Sequence, residues 1–252
     1  MVTAVARFRM IALLFLWGIF PQAGVTETSA ASVEHIRQSL LLLLPGVVPE
    51  SITETPIANI YEVVIDSRLV YVSADGRFLI EGEIIDLEQQ KNLTSPRLKE
   101  VTLAAIEQIG EANMLIFEPA ERVKHTLTVF TDIDSAYSRK MQQEIEQYTN
   151  RGIRIRYLFF PRAGVDTPSY EKAVTVWCAV NRQKAIARAM SGEVLEPRSC
   201  PNPVQDHLKL AGMLGVSGAP VLVLENGEML PGYVEAEKLY KILSKMKQLQ
   251  SK

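Results

Sequence analysis

The amino-acid sequence predicts an α+β protein with a small N-terminal unit, a linker helix and a larger α/β C-terminal unit that contains several helices. In the first half of the chain, one amphipathic stretch precedes several short runs rich in β-branched residues, with turn signals between them. In the second half, two apolar runs of strand length enclose an amphipathic stretch, which is the pattern of a β-α-β unit. We place the three parts at residues 31–93, 94–112 and 113–252.

Composition sets the outer limits of the function. A chain of 252 residues with 47% hydrophobic content has enough material for one large core or for two domains. The net charge of −2 gives no support for nucleic-acid binding. Two cysteines are few for a chain of this size, and their meaning depends on the cellular compartment.

The first 30 residues have the organisation of a signal peptide. Arg7 and Arg9 precede the apolar run Met10–Phe20, which is followed by Pro21 and small residues. Cleavage after residue 23 or after residue 30 fits this pattern, and an uncleaved N-terminal anchor is the alternative. Because no comparable apolar run follows, we expect an exported protein with no stable membrane span after cleavage.

A helix is predicted at the start of the N-terminal unit. Ser32 is a suitable N-cap, and Pro45-Gly46 would end the helix. Apolar residues recur between them at helical spacing, at Val33, Ile36, Leu40 and Leu43.

Short strands follow this helix. Ile60–Ile65 and Leu69–Val72 have strand composition, and Asp66-Ser67 is the turn candidate between them. Asp75-Gly76 is a hairpin signal, which predicts that strand structure continues at Phe78–Ile80 and through Gly82.

Gly82 has two interpretations. A glycine inside a strand fits a close approach of two backbones at a dimer contact, or it marks a simple bulge. A unit of about 60 residues buries little apolar surface alone, so pairing with a second copy would stabilise it.

The linker is predicted to be helical over Arg97–Gly110. Five apolar residues lie on one face of this helix: Leu98, Val101, Ala105, Ile106 and Ile109. A connector between two units and a core helix of the second unit are both consistent with this face, and the many charged neighbours favour the connector.

In the C-terminal unit, strands are predicted at 114–117, 127–130 and 153–160, with a helix from Tyr137 to Tyr148 between the last two. That order predicts a parallel pairing. Further helices are predicted at 170–190, 204–214 and 235–249. Asn226-Gly227 predicts a hairpin with a type I′ turn.

Five motifs follow one another along the chain, each occurring once: TVFTDI at 128–133, RYLFFPRAG at 156–164, WC at 177–178, GVSGAP at 215–220 and NGEMLPGY at 226–233. Together they resemble the DsbC/DsbG-type periplasmic disulfide isomerases over nearly the whole chain after residue 30. The resemblance implies an N-terminal dimerisation domain in a V-shaped homodimer and a thioredoxin-like C-terminal domain, in which 170–190 is an insertion. It also implies a periplasmic location, unfolded or disulfide-containing exported proteins as partners, and no cofactor.

The sequence departs from this family at the redox motif. A thioredoxin-like fold carries a C-x-x-C pair where a strand turns into a helix, because the helix dipole favours a thiolate there. The residues at that place are Ser135, Ala136, Tyr137 and Ser138. Disulfide exchange requires a thiolate, and an alcohol stays protonated at neutral pH. Deliberate replacement of two cysteines would leave the same serines, but Asp134 and Ala136 favour natural divergence.

Other chemistry for these serines finds little support. A hydrolytic Ser135 would need a base and an oxyanion hole. The three histidines, His35, His125 and His207, are scattered along the chain, although His125 could approach in space. The same scatter argues against a metal site.

Cys178 and Cys200 are 22 positions apart. In an exported protein such a pair favours a structural disulfide, and the family resemblance implies a bridge at these positions. A relocated redox pair is the alternative, but it lacks the adjacent spacing that lets one thiol resolve the other.

Ala219-Pro220 matches the family loop whose proline is cis and faces the redox pair. The resemblance implies that this loop offers backbone groups to an extended substrate, with Tyr137 as an aromatic face beside the groove. An ordinary trans proline that opens a strand is the alternative.

Three functional hypotheses remain. The first is a homodimer that binds unfolded or specific exported proteins, as a holdase or an adaptor, without disulfide exchange. The second is an enzyme that exchanges disulfides through Cys178 and Cys200. The third is a structural or interaction component of an envelope or conjugation assembly.

Overall fold

The computed structural model describes residues 25–250, so a signal-peptide cleavage after residue 23 lies outside the described residues. The first helix, α1, is Val25–Leu43. The prediction that Ser32 caps this helix is wrong, because the helix already spans that position. Ile36 and Leu40 are buried as their spacing predicted, whereas Leu43 is exposed.

The first sheet has four strands in the order β1-β2-β3-β4, all antiparallel. They are Ser51–Glu54, Ile60–Ile65, Arg68–Ser73 and Leu79–Ile80. The predicted turn at Asp66-Ser67 is confirmed, and both residues have positive φ, as a type I′ turn requires. The strand β1 was not predicted, since SITE shows no clear alternation of apolar residues.

Strand structure does not continue through Gly82, so that prediction is wrong. Gly82 lies in a bend, and the next strands are β5, Ile85–Asp86, and β6, Lys91–Asn92, which form a separate antiparallel pair. The role of Gly82 as a dimer contact stays a prediction.

The linker helix α2 is Thr94–Ile109, and a 3₁₀ turn, Glu111–Asn113, follows it. This helix has features of a connector between the two units and also of a core helix of the C-terminal unit. Ala105 and Ile106 pack into the core of the C-terminal unit. The start of the helix is tied to the first sheet, because Arg97 Nε donates to Glu62 at 2.8 Å.

The second sheet has five strands in the order β11-β10-β8-β9-β7. In chain order β7 to β11 are Leu115–Phe117, His125–Thr131, Ile153–Phe159, Val221–Val223 and Met229–Pro231. Strands β8 and β9 pair in parallel, which confirms the predicted β-α-β unit. The α+β class is likewise confirmed.

Helices cover both faces of this sheet. They are α3 Ala136–Gln143, α4 Ile145–Thr149, α5 Pro168–Trp177, α6 Arg182–Met190, α7 Val204–Met213 and α8 Ala236–Gln250. Two predicted helices are broken. The first divides at Glu144, and the insertion divides between residues 177 and 182, where the Asn181 side chain caps α6.

The hairpin at Asn226-Gly227 is confirmed by the antiparallel pairing of β10 and β11, but its predicted type I′ turn is wrong. Gly227 has φ of +82°, and Asn226 has no positive φ. The Gly227 N–H donates to Leu224, and the Asn226 side chain accepts from the Glu228 N–H. The turn therefore uses one glycine in the left-handed region, Gly227. The hydrogen bond to the Asn226 side chain fixes the loop.

His207 joins three parts of the C-terminal unit. Its Nδ1 accepts from the Phe159 N–H of β9 at 3.1 Å, and its Nε2 donates to the Asn113 carbonyl at 2.7 Å. The ring is fully buried, and this burial lowers the pKa of His207 to about 4. The imidazole is therefore neutral in the folded protein and holds the end of the linker against the sheet.

Stability should fall when His207 is forced to take a proton. The unfolded chain binds that proton with a pKa near 6.5, so the free energy of unfolding is undiminished above about pH 6.5 and falls as the pH drops toward 4. A shift of this size corresponds to about 3 kcal/mol. Urea unfolding followed by Trp177 fluorescence at several pH values measures the slope. His207→Gln keeps a donor and an acceptor, and an equally steep slope in that variant would contradict the assignment.

Candidate functional site

The candidate site lies where β8 ends and α3 begins, opposite the loop before β10. Ser135 and Ser138 are at the start of α3. The Ala219–Pro220 peptide bond in the facing loop is cis, and Pro220 is buried. The structure thus brings together the residues that the sequence analysis singled out around the motif.

Ser135 connects the two sides of this site. Its hydroxyl donates to the carbonyl oxygen of Ala219 at 2.7 Å. Its Oγ also accepts from the Ser138 N–H at 3.4 Å, so Ser135 is the N-cap of α3. The side chain is almost fully buried and fully engaged in local hydrogen bonds.

Ser138 points inward. Its Oγ accepts from the Asp132 N–H at 3.4 Å, and the residue is buried. This hydroxyl therefore helps to join the end of β8 to α3 and offers no surface to a ligand.

Asp132 was missed by the sequence analysis, although it lies inside the motif TVFTDI. Its buried carboxylate accepts from Arg162 Nε at 2.9 Å and from the Ser169 hydroxyl at 2.8 Å. The Asp134 N–H donates to the same carboxylate at 2.9 Å. Burial alone would raise the pKa of Asp132, but these hydrogen bonds outweigh it and hold the pKa below its usual value. An aspartate directly after a strand, inside the motif TVFTDI, is the sequence signal that could have indicated that Asp132 joins the strand end to the segments around it.

Asp134 is charge-compensated. Its carboxylate forms ion pairs with Lys172 of α5 at 2.7 Å and with Arg139 of α3 at 3.0 Å. These two cations offset the negative charge of Asp134 beside the start of α3. Tyr137 lies in the first turn of α3 and is 63% exposed, so its ring is available for contact with a ligand.

Neither serine has a general base. His125 is the first residue of β8, about 20 Å of strand away from its end, and it contacts Glu225 and Ser244. His207 is engaged with Phe159 and Asn113. The suggestion that His125 approaches Ser135 is therefore wrong. The described residues also contain no group of acidic, histidine or cysteine side chains suited to a metal ion.

Cys178 and Cys200 form a disulfide, with their Cα atoms 5.8 Å apart. Cys178 is the residue that ends α5, and Cys200 lies in the segment between α6 and α7. A helix C-terminus carries partial negative charge, so it disfavours a thiolate. This bond connects the end of α5 to the segment between α6 and α7.

Among residues 25–250, no helix combines the length and the apolar character needed to cross a membrane.

Two families match the chain. Residues 26–95 match the disulfide bond isomerase protein N-terminal domain, and residues 118–247 match a thioredoxin-like domain. A thiol:disulfide interchange protein DsbC from Salmonella typhimurium is 37% identical over 229 residues, which are 90% of each chain. DsbC from Escherichia coli K12 is 33% identical over 231 residues, covering 91% of this chain and 94% of that protein. DsbC from Dickeya dadantii is 30% identical and covers 88% and 89% of the two chains.

Proposed function

The chain belongs to the DsbC family of thiol:disulfide interchange proteins, and from that premise we propose that it is an exported, periplasmic homodimer that binds unfolded or partner proteins without exchanging disulfides. It acts as a holdase or an adaptor. In this proposal Ser135 and Ser138 stand where the family has its two redox cysteines.

The observation that supports the proposal is the arrangement around Ser135. A hydroxyl at the start of α3 donates to the carbonyl of the residue before the cis proline. The position is that of a redox group, at a helix N-terminus and opposite the cis-proline loop, but its atom is oxygen. An alcohol cannot supply the sulfur anion that attacks a disulfide, so binding is the function that remains for this site.

Exchange through Cys178 and Cys200 is the weaker candidate. The two sulfurs are joined in a bond that spans 22 positions, so the pair lacks the adjacent C-x-x-C spacing that lets one thiol resolve the other's mixed disulfide. The position of Cys178 at a helix C-terminus also works against activation of its thiol.

Dimerisation finds support in the N-terminal unit. Phe78, Leu79 and Ile80 are exposed on and beside the edge strand β4, and Leu87 in the turn between β5 and β6 is 86% exposed. An exposed apolar edge strand is unfavourable in an isolated unit and is suited to pairing with another chain. Gly82 lies in the same segment, between β4 and β5, so we assign the dimer contact to residues 78–87.

Two assays on the protein after signal cleavage test the function together. We expect no insulin reduction above the rate of the dithiothreitol blank, and we expect suppression of aggregation of a chemically denatured client at about equimolar dimer. Light scattering should give twice the chain mass. Phe78→Asp places a charge at the proposed contact and should yield monomer, whereas Val165→Asp, at an exposed loop valine, should leave the dimer intact.

Specific results would contradict the proposal. Reshuffling of scrambled disulfides by the wild-type protein, abolished by alkylation of Cys178 or Cys200, would establish the exchange hypothesis instead. Failure to protect any denatured client, together with one stoichiometric partner in a pull-down, would favour a structural component of an envelope or conjugation assembly.

A further inference from the structure

The helical insertion carries a groove that the proposed function does not use. Two cavities, of about 260 and 400 Å³, lie against it. They share Thr175, Val194 and Leu195 as lining residues, so the two cavities adjoin, and we treat them together as one depression. Their combined size is in the range of known ligand sites. We call this depression the insertion groove.

The disulfide joins the two walls of the insertion groove. One wall is the end of α5, the loop 178–181 and the start of α6, and the other is the segment 194–198. Cys178 lies in the first wall, and Cys200 follows directly after the second. The segment 193–200 has no regular secondary structure, so the covalent bond restrains the width of the groove.

The groove exposes apolar side chains. Val180 is 99% exposed and Val194 is 93% exposed, the two highest values among the large hydrophobic residues that the structure describes. They line the same cavity from opposite walls. Single exposed valines are common on protein surfaces, but two that face one depression form a site for an apolar side chain.

Positive charge exceeds negative charge beside these valines. Lys184, Arg188 and Arg198 line that cavity, and Glu196 is the one acidic side chain in its lining. Glu193 of the smaller cavity pairs with Arg188 and also attracts Lys184. Three cations against two carboxylates favour an acidic group on the ligand.

The other end of the groove reaches the candidate site. Arg139 and Lys172 line the smaller cavity, and both pair with Asp134 at the start of α3. A chain bound on the surface beside the start of α3 can therefore continue into the groove past Arg139 and Lys172. The depression is open along its length, which suits an extended peptide better than a small enclosed molecule.

We propose that the insertion groove binds an extended segment of the client, with an apolar side chain between Val180 and Val194 and an acidic side chain near Lys184 and Arg198. This inference rests on the proposed function, and it names the class of peptide that the protein selects.

Fluorescence anisotropy with two labelled peptides tests the inference on the full mature protein. One peptide alternates leucine and aspartate, and the other replaces each aspartate by lysine. We expect the acidic peptide to bind more tightly, with an affinity that falls as salt is raised. The double variant Val180→Ser/Val194→Ser should weaken acidic-peptide binding about tenfold, because two valine contacts lose their buried area. Lys184→Gln/Arg198→Gln should weaken the acidic peptide severalfold and leave the lysine peptide unchanged.

Val123→Ser, at a half-exposed valine outside the groove, is the matched control and should bind as wild type. If both double variants bind the acidic peptide as wild type while the protein still protects a denatured client, the groove assignment is wrong and the proposed function stands. Equal wild-type affinity for the two peptides also overturns the assignment. A wild-type protein that neither binds peptide nor protects a client overturns the proposed function itself.

Discussion

Changing Ser135 and Ser138 together to cysteine is expected to convert the chain from inert to active in insulin reduction. A thiol at position 135 would lie at the N-terminus of α3, where the helix dipole lowers a thiol pKa and favours the nucleophilic thiolate. Asp134 opposes this only weakly, because Arg139 and Lys172 neutralise its charge. A thiol at position 138 would supply the second sulfur that releases a mixed disulfide. The rate should rise from the blank level to one that depends on both substitutions.

Single substitutions separate the two roles. Ser135→Cys alone is expected to accumulate mixed disulfides with a client, visible as complexes on a non-reducing gel, without turnover. Ser138→Cys alone should stay inert, because that side chain is buried. A folded double variant with no activity would show that the site no longer has the geometry for exchange, which would contradict the assignment of these positions.

Gly227→Ala is expected to destabilise the C-terminal unit strongly. Gly227 has φ of +82°, which costs a residue with a side chain about 1–2 kcal/mol. A Cβ at this position would also lie 2.7 Å from the carbonyl carbon of Lys99 in α2. Because the Lys99 atoms that the Cβ would meet belong to the helix backbone, they cannot rotate away as a side chain could. The hairpin must therefore move away from the linker helix. We expect a total loss of about 3 kcal/mol or more in urea unfolding followed by Trp177 fluorescence.

Gly164→Ala is the matched control for this prediction. Gly164 has φ of +89°, and no atom would lie within 4 Å of an added Cβ. Its loss should be limited to about 1–2 kcal/mol. Equal losses at the two glycines would mean that the hairpin does not press on the linker helix. Lys99→Ala removes the ion pair with Glu228 at 3.0 Å and should cost under about 1 kcal/mol, because that pair is substantially exposed.

Local sequence patterns predicted the elements whose causes are local. The strand composition of Ile60–Ile65, rich in β-branched residues, predicted a strand with the bounds that the structure has. The order of strand, amphipathic stretch and strand predicted the parallel pairing of β8 and β9. Apolar residues predominate toward the ends of these two strands, where both faces of the sheet are buried.

Errors arose where a distant contact decides the local conformation. The insertion helix breaks after Trp177, where the Cys178–Cys200 bond and the Asn181 cap redirect the chain, and periodicity continues across that break. The turn at Asn226-Gly227 is closed by a side-chain hydrogen bond and pressed against Lys99, so a dipeptide rule alone gave the wrong turn type. The short strand β1 is formed by pairing with β2 and has no strong pattern of its own.

The sequence by itself determined the reactivity of this protein, because the identity of an atom is a property of the residue. Residues 135 and 138 carry hydroxyl oxygens wherever the chain places them. Only the tertiary structure decided what those hydroxyls contact, since Ser135 meets a carbonyl 84 positions away along the chain. The same holds for the buried Asp132 and for the insertion groove, whose groups converge through packing between segments that no local pattern relates.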